Sequence, residues 1–491
     1  MKFKNRYAAL GENFCEKTPP VPVAEPGLII FNHELAAQFV GSLNELDDTA
    51  LAELFSGNRV HESCEPLAMA YAGHQFGHFN PQLGDGRAIY LGELERLHGD
   101  AVDVQLKGSG PTRFSRNGDG RAALGPVLRE YIVSEAMYSL HVPTTRALAA
   151  VTTGEKVARE QLLPGGVITR VAESFIRVGS FQYFANQRDI ASIKALADYV
   201  IERNYAELAQ HKNAYLELLE AVTQRHAHLI AQWMQLGFIH GVMNTDNMSV
   251  AGETIDYGPC AFMDAYHHEQ VYSFIDRDGR YAYNQQPSIG LWNLTRLAET
   301  LLPLFHDDTD AAIELAKTVL QTYNHRYEQA WLQGMRAKCG LSAIISDEED
   351  RALIEDLFTI MASNNADFTL TFYFLSRLNL ETDENDHRLL ELFSQQAAAV
   401  GWLEKWRQRL SNEKQNNEQR QKNMQAVNPI YIPRNHQIEA AIRAAEDHND
   451  FAPFHALHEV LQQPFHYQPD KDNYMLPPKP EEEVTQTFCG T

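Results

Sequence analysis

Hydrophobic and polar positions divide the chain into a strand-rich first part and a mainly helical second part. The segments AIYLGEL and AVDVQLKG alternate apolar and polar residues, which is typical of half-buried strands, and LIIF predicts another strand. The segment RAALGPVLREYIVSEAMYSLHV has apolar residues at helical spacing and predicts one long helix over residues 120–142, entered near Pro126. ALAAVTT, EKVARE and GVITRV predict short strands. After Ser174 the pattern is mainly helical, with one predicted strand–turn–strand piece, MSVAGETIDYG.

These patterns predict an α+β protein with three parts. Residues 1–174 form an N-terminal extension and a strand-rich lobe, residues 175–410 form a helical lobe, and residues 411–491 form a C-terminal helical extension. The segment NEKQNNEQRQKN near the start of that extension has no apolar face and predicts a solvated helix or a linker. The residues after Gln468 are rich in Pro, Lys and Glu, which predicts an extended, mobile tail.

The composition narrows the functional classes. The 491 residues carry a formal net charge of -23, which repels a phosphate backbone and argues against sequence-independent nucleic-acid binding. No apolar run approaches the roughly 18 residues that span a bilayer, and the first residues contain no apolar signal-peptide segment. Five cysteines in so long a chain predict neither a disulfide scaffold nor a CxxC metal site. We therefore expect a cytoplasmic enzyme or binding protein that uses neither nucleic acid nor a membrane.

A glycine turn and a strand lysine are the first candidate chemistry. In LGDGRAIYLGE, two glycines flank Asp85 and allow backbone N–H groups to approach an anion, while Arg87 adds positive charge. A plain hairpin turn is the alternative. Lys107 ends the apolar strand VDVQLKG, and a cation placed there needs an acidic partner. Glu130 in the following helix is the first candidate and Glu135 is its competitor; a surface lysine beside a solvated glutamate is the alternative.

A second group of polar residues lies in the helical part. Protein-kinase catalytic loops have a His, an Asp two residues later and an Asn five residues beyond that. In GFIHGVMNTDN, His240 and Asn247 have this separation of seven, but Val242 stands at the Asp position and Asp246 directly precedes Asn247. Asp256 opens a DYG turn nine residues after Asn247, where a kinase fold presents a metal-binding carboxylate.

With these motifs in order, the chain resembles the SelO (selenoprotein O, YdiU-type) family of protein nucleotidyltransferases. The resemblance extends from YAGHQFGHFNPQLGDGRA through KGSGPTRFSRNGDGRAALG and HGVMNTDNMSVAGETIDYGPCAF to the final FCGT. It implies a two-lobed, protein-kinase-like fold with a strand-rich N-lobe and a helical C-lobe. It also implies transfer of AMP from ATP, bound in a flipped orientation, to Ser, Thr or Tyr hydroxyls of proteins, including the enzyme itself. Some bacterial members transfer UMP from UTP, and the implied cofactor is Mg²⁺ or Mn²⁺.

The resemblance also implies roles for individual residues. Asp246 matches the proton acceptor, and Asn247 and Asp256 match the metal ligands. Glu130 matches the helix partner of the strand lysine. Nucleotide contacts are implied for Gly84, Gly86, Arg87, Lys107, Asp119, Gly120, Arg170, Arg177 and Asp256.

Two further readings and one regulatory hypothesis stay open at this point. Asp246 stands close to the position of the missing loop Asp, so an atypical protein kinase is the first alternative. A non-catalytic nucleotide-binding scaffold is the second. Cys260 follows the DYG turn and Cys489 lies near the end of the sequence, and a reversible disulfide between them would tie the tail over the site. Two unrelated thiols are the alternative.

Overall fold

The computed structural model describes residues 2–488, which contain twelve strands and fifteen α-helices. The strands are β1 (Cys15–Lys17), β2 (Gly27–Phe31), β3 (Leu67–Met69), β4 (Gly73–Gln75), β5 (His78–Asn80), β6 (Ala88–Glu95), β7 (Ala101–Lys107), β8 (Ala122–Ala123), β9 (Arg146–Ala158), β10 (Leu162–Ala172), β11 (Phe238–Ile239) and β12 (Ala261–Phe262). The helices are α1 (His33–Ala36), α2 (Asp48–Ser56), α3 (Leu124–Ser139), α4 (Val178–Asn186), α5 (Ile190–Asn204), α6 (Ala214–Leu236), α7 (Gln286–Phe305), α8 (Thr309–Lys338), α9 (Asp347–Asn364), α10 (Phe368–Leu375), α11 (Asp386–Leu390), α12 (Gln396–Leu410), α13 (Asn417–Gln425), α14 (Asn435–His448) and α15 (Ala452–Leu461). The chain is therefore mixed α and β, with the main sheet first and a helical part after it.

The main sheet is antiparallel and has eight strands. Its order is β1-β3-β6-β7-β10-β9-β2, and β8 pairs with β10 outside this path. β6 and β7 are the strands predicted from AIYLGEL and AVDVQLKG, and they pair with Ala88 opposite Lys107. β4 and β5 form a separate two-stranded hairpin, and β11 and β12 form a two-stranded antiparallel sheet on the helical side.

Two elements of the sheet differ from the sequence prediction. Where short strands were expected, β9 and β10 form one long hairpin, because register shifts at Pro164/Gly166 and Thr169/Arg170 accommodate irregular residues without ending the pairing. The helix α3 begins at Leu124, close to the predicted entry near Pro126, but Ala122 and Ala123, which belong to the predicted helical segment, pair with β10 as β8. α3 packs against β9 and β10 and is buried along nearly its whole length.

The expected strand–turn–strand piece over residues 248–258 is wrong. Among the described residues, this segment forms no strand, since its backbone bonds to scattered partners instead of one continuous neighbour. Val250 N donates to Ile176 O at 3.0 Å, and Thr254 N donates to Pro143 O at 2.9 Å. These single bonds attach the segment to both the sheet side and the helical side.

The C-terminal extension packs back on the first part of the chain. α14 and α15 both contact α3, and the Glu446 carboxylate accepts a hydrogen bond from Gly125 N at 2.9 Å. The polar segment NEKQNNEQRQKN, for which the sequence predicted a solvated helix or a linker, contributes to the helix α13. One face of α13 is covered, however, and Arg420 is buried. After Gln468, the Met475 carbonyl accepts from Arg434 Nη2 at 2.8 Å. No helix within residues 2–488 is long and apolar enough to cross a membrane.

Candidate active site

One cavity of about 810 Å³ lies between the main sheet and the segment that follows β11. Its walls come from the turn before β6, the end of β7, the loop before β8, β10 and the residues between β11 and β12. Eleven of the candidate residues line it: Gly84, Gly86, Arg87, Lys107, Asp119, Gly120, Arg170, Arg177, Asp246, Asn247 and Asp256. Residues separated by more than 150 positions in the sequence therefore line the same cavity.

The lysine at the end of β7 pairs with the helix α3. Lys107 Nζ lies 2.6 Å from Glu130 Oε2, and Arg170 Nε lies 2.7 Å from Glu130 Oε1. Burial raises the pKa of the Glu130 carboxyl, but Arg170 and Lys107 outweigh burial and hold this pKa below its ordinary value. Burial, followed by repulsion from Arg170, lowers the pKa of Lys107. The competing acid, Glu135, instead pairs with Arg146 at 2.7 Å.

Asp256 lies among three cations. Its carboxylate is 2.7 Å from Arg170 Nη2, 2.5 Å from Arg177 Nη1 and 3.7 Å from Lys107 Nζ. Burial raises the pKa of Asp256, but Arg177, Arg170 and Lys107 lower it far more, so the carboxyl is ionised. Its φ of +63° is a backbone conformation that side-chain-bearing residues seldom adopt, and strain of this kind is frequent at functional sites.

The residues proposed to hold a divalent ion are oxygen donors of the kind that Mg²⁺ and Mn²⁺ prefer. Asn247 Nδ2 donates to the Val242 carbonyl at 2.9 Å, which fixes the amide and leaves its Oδ1 as an acceptor. Asn247 and Asp256 both line the cavity. The described residues contain no group of three or more His, Cys, Asp or Glu side chains placed to hold a metal. A cation bound here therefore needs most of its ligands from phosphate oxygens and water, as Mg²⁺ at nucleotide sites does.

Asp246 lies at another wall of the cavity, beneath the β4–β5 hairpin. Gln75 Nε2 donates to Asp246 Oδ2 at 3.1 Å, whereas Oδ1 is buried without a hydrogen-bond partner. Burial raises the pKa of Asp246 to about 6. A Cβ at Gly73 would lie 2.5 Å from Asp246 Oδ1, so only glycine fits above this carboxylate. A carboxylate that lines a cavity and has a raised pKa is suited to accept a proton.

The glycine turn before β6 is tied to the core through its aspartate. Asp85 accepts from Met69 N at 3.1 Å and from Gln105 Nε2 at 3.0 Å. A Cβ at Gly84, whose φ is +68°, would overlap the Phe114 ring, so the close approach requires glycine. Asp119 on the opposite loop pairs with Arg159 at 2.9 Å. The turn and the loop before β8 thus form one rim of the cavity.

The sequence matches the model of the family described as protein adenylyltransferase SelO over residues 1–462. The chain belongs to the SelO family. The resemblance found in the motifs is therefore confirmed over most of the chain.

SelO-family relatives that bear the name protein nucleotidyltransferase YdiU match along the full length. One from Rhodopseudomonas palustris (strain BisB18) is 56% identical over 491 residues, covering 100% of this chain and 99% of the relative. One from Rhizobium rhizogenes (strain K84) is 55% identical, covering 100% and 97%. One from Agrobacterium fabrum (strain C58) is 53% identical, covering 100% of each. This SelO-family chain is an enzyme of the nucleotidyltransferase class.

Two residues that line the cavity were missed by sequence reasoning. Gln75 reaches Asp246 from a hairpin about 170 positions earlier, and Arg159 joins the cavity rim from the end of β9. The glycines on either side of HQF in GHQFGH were the available signal for the first, because they indicate a tight hairpin. Nothing in the sequence marked Arg159.

The redox hypothesis concerns a residue outside the described range. Cys489 lies beyond residue 488, and its pairing with Cys260 stays a prediction. Cys260 itself is buried. The described end of the tail contacts the segment beside it, since Thr487 N donates to Tyr272 O at 2.8 Å and Thr487 Oγ1 donates to Pro259 O at 2.6 Å. The tail predicted to be mobile is thus bonded, at Thr487, to the residue preceding Cys260.

Proposed function

We propose that this enzyme transfers AMP from ATP to Ser, Thr or Tyr hydroxyls of proteins, including its own chain, and releases pyrophosphate. UTP, with transfer of UMP, is the second nucleotide substrate proposed. The observation that supports this is the convergence of Lys107, Arg170, Arg177 and Asp256 on one side of the cavity, with Asp246 on another. Cations there suit a triphosphate, and a carboxyl with a raised pKa at the cavity wall suits the acceptance of a hydroxyl proton.

The proposed fold is protein-kinase-like, with the two lobes divided near residue 174 and the C-terminal extension beginning near residue 411. The main sheet ends at Ala172, and α4 begins at Val178. The ion pair between a strand lysine and a helix glutamate supports the same comparison.

Phosphate binding begins with an exchange of partners. Arg170 and Arg177 now bind the Asp256 carboxylate. An incoming triphosphate offers these guanidiniums and Lys107 more negative charge, so they bind the β- and γ-phosphates and release the oxygens of Asp256. Glu130 keeps Lys107 and Arg170 at their positions during this exchange. Asp256 and the Asn247 amide oxygen would hold a divalent ion, which would supply positive charge against the phosphate oxygens.

Transfer follows at the α-phosphorus. The acceptor hydroxyl oxygen forms a bond to this phosphorus, and the bond to the oxygen that bridges the α- and β-phosphates breaks. Asp246 takes the hydroxyl proton on its carboxylate, and the cations around Lys107 stabilise the charge that develops on pyrophosphate. Val242, an apolar residue, lines the cavity where a kinase loop has its Asp, which makes γ-phosphoryl transfer less favourable.

Labelled ATP tests the proposal. The enzyme is incubated with ATP labelled on the α- or the γ-phosphate, with Mg²⁺ or Mn²⁺, alone and with a cell extract. Asp256→Ala is the test variant, and Asp307→Ala, an exposed residue outside the cavity, is the matched control. Protein-bound α-label that is lost only in Asp256→Ala is expected. Protein-bound γ-label without α-label would replace the proposal by a kinase using Asp246. ATP binding with neither label on protein would favour the non-catalytic nucleotide-binding scaffold.

A further inference from the structure

A second cavity, of about 670 Å³, adjoins the nucleotide cavity. Lys107, Arg159, Gly258 and Ile275 line both of them. One wall of the second cavity is the start of α3, and the opposite wall is a single face of α14 that includes Glu439, Ile442, Arg443 and Glu446. Residues of the tail between 484 and 488 close a third side. Nothing in the proposed transfer uses this space.

The second cavity contains a buried cation that forms no ion pair with the described residues. Arg129 is 7% exposed, and its Nη1 donates to Asn435 Oδ1 at 3.2 Å and to the Cys260 carbonyl at 3.5 Å. Within residues 2–488, the charge of Glu439 favours the charged form of Arg129 only from beyond ion-pair distance, and burial outweighs it. A buried guanidinium without a counter-ion is costly, because burial disfavours its charged form.

The acids on the α14 wall share a single cation. Arg443 lies 3.0 Å from Glu439 and also pairs with Glu446. Glu130, one residue beyond Arg129, binds Lys107 and Arg170. The other cations that line this cavity all have ion pairs, so Arg129 is the lining cation that forms none within residues 2–488.

The rest of the second cavity is suited to the apolar part of a ligand. Ile442 lines its α14 wall. At its mouth the side chains of Phe274, Ile275 and Phe488 are 46%, 54% and 61% exposed, and the rings of Phe274 and Phe488 contact each other at 5.1 Å between centroids. Large apolar side chains grouped at the mouth of a cavity are typical of a binding site.

We propose that the second cavity binds an amphipathic anion, a carboxylate or phosphate group on an apolar chain, whose charged end pairs with Arg129. Bound there, the anion brings negative charge to a space that Lys107 also lines, so it opposes the binding of the ATP triphosphate. The site is thus inhibitory. The binding itself does not depend on the proposed AMP transfer, whereas the inhibition does depend on ATP using the Lys107 side of the first cavity.

Binding is tested with decanoate as the probe and decanol as its uncharged counterpart, by titration calorimetry on the full chain. We expect decanoate to bind wild type at least tenfold more tightly than Arg129→Met, and decanol to bind both equally weakly. Arg388→Met, which removes an exposed arginine, is the matched control and should bind decanoate like wild type. Ile442→Trp leaves Arg129 in place and fills the apolar part, and it should also lose at least tenfold in affinity. This second variant keeps the test decisive if Arg129→Met does not fold.

Three results would overturn the site. They are equal decanoate affinity in wild type and Arg129→Met, decanol binding as tight as decanoate binding, and binding only to anionic phosphatidylglycerol vesicles with none to free decanoate. The inhibitory effect is measured separately as the Kd of ATP. Saturating decanoate should raise it at least threefold in wild type and leave it unchanged in Arg129→Met. An unchanged Kd in wild type with ATP still bound would refute the inhibition, whereas loss of ATP binding altogether would refute the proposed function.

Discussion

Replacing Gly73 by alanine should displace the Asp246 carboxylate without disturbing the phosphate-binding cations. A Cβ at position 73 would lie 2.5 Å from Asp246 Oδ1 and 2.9 Å from its Cβ, whereas ordinary contacts begin at 3.4 Å. The carboxylate oxygen must therefore move by about 0.9 Å (3.4 − 2.5), and the hydrogen bond from Gln75 is lost or bent. Misplacing a reacting group by roughly 1 Å costs about 100-fold in rate.

We therefore expect Gly73→Ala to lower kcat for AMP transfer about 100-fold, or about 2.7 kcal/mol in activation free energy (2 × 1.36). The Kd of ATP should stay within about twofold, because the three atoms nearest to the new methyl group all belong to Asp246 and not to a phosphate-binding cation. Because the new methyl group overlaps a buried side chain, the free energy of unfolding should fall by about 1–3 kcal/mol. The assay combines single-turnover transfer of α-label with ATP titration and urea unfolding.

The matched control is Gly401→Ala in α12, where an added Cβ meets no atom within 4 Å. It should leave kcat unchanged and stabilise the helix by up to about 1 kcal/mol. A double-mutant cycle sharpens the test, because Gly73→Ala should have no further effect on kcat in an Asp246→Ala background. The reasoning is refuted if Gly73→Ala retains kcat within about threefold of wild type, or if its loss adds fully to that of Asp246→Ala.

Three other outcomes are expected. Lys107→Met should raise the Kd of ATP about 10- to 100-fold, since a hydrogen bond to a charged group contributes about 1.5–3 kcal/mol; equal affinity in ATP titration would contradict the phosphate role of Lys107. Chelation with EDTA should abolish α-label transfer and added Mg²⁺ or Mn²⁺ should restore it, whereas transfer that persists in EDTA would exclude a metal role for Asn247 and Asp256. Burial lowers the pKa of Lys338 from 10.5 to about 7. Between pH 7 and 10.5 the unfolded chain therefore binds a proton that the folded chain lacks, so the free energy of unfolding should rise with pH. Lys338→Met should remove this rise with pH and stabilise the protein at pH 7 by about 5 kcal/mol at most (3.5 × 1.36). Urea unfolding at pH 7 and pH 9 that shows the same change in free energy of unfolding in both proteins would contradict this prediction.

Site residues that lie on a strand or helix with a regular hydrophobic pattern could be predicted from the sequence. Lys107 could be paired with Glu130 because a strand end and a helix face were readable on either side of a glycine-rich loop. The contact of Gln75 with Asp246 could not be predicted in this way, because it depends on how a short hairpin folds over a loop far away in the sequence. The length of β9 and β10 was underestimated for a related reason. Bulges that preserve pairing through irregular residues have no periodicity of their own.

The packing of α14 on α3 has a consequence for how the protein is made. Gly125 and Glu446, which share a hydrogen bond, are separated by 321 residues. At a ribosomal rate of about 5–20 residues per second, roughly 16–64 s pass between the synthesis of one and of the other. During this time the face of α3 that α14 and α15 cover lacks these partners, so the nascent chain exposes that helix surface until α14 and α15 have emerged. The rate of translation between these two positions therefore sets how long this surface of the young chain is open to aggregation.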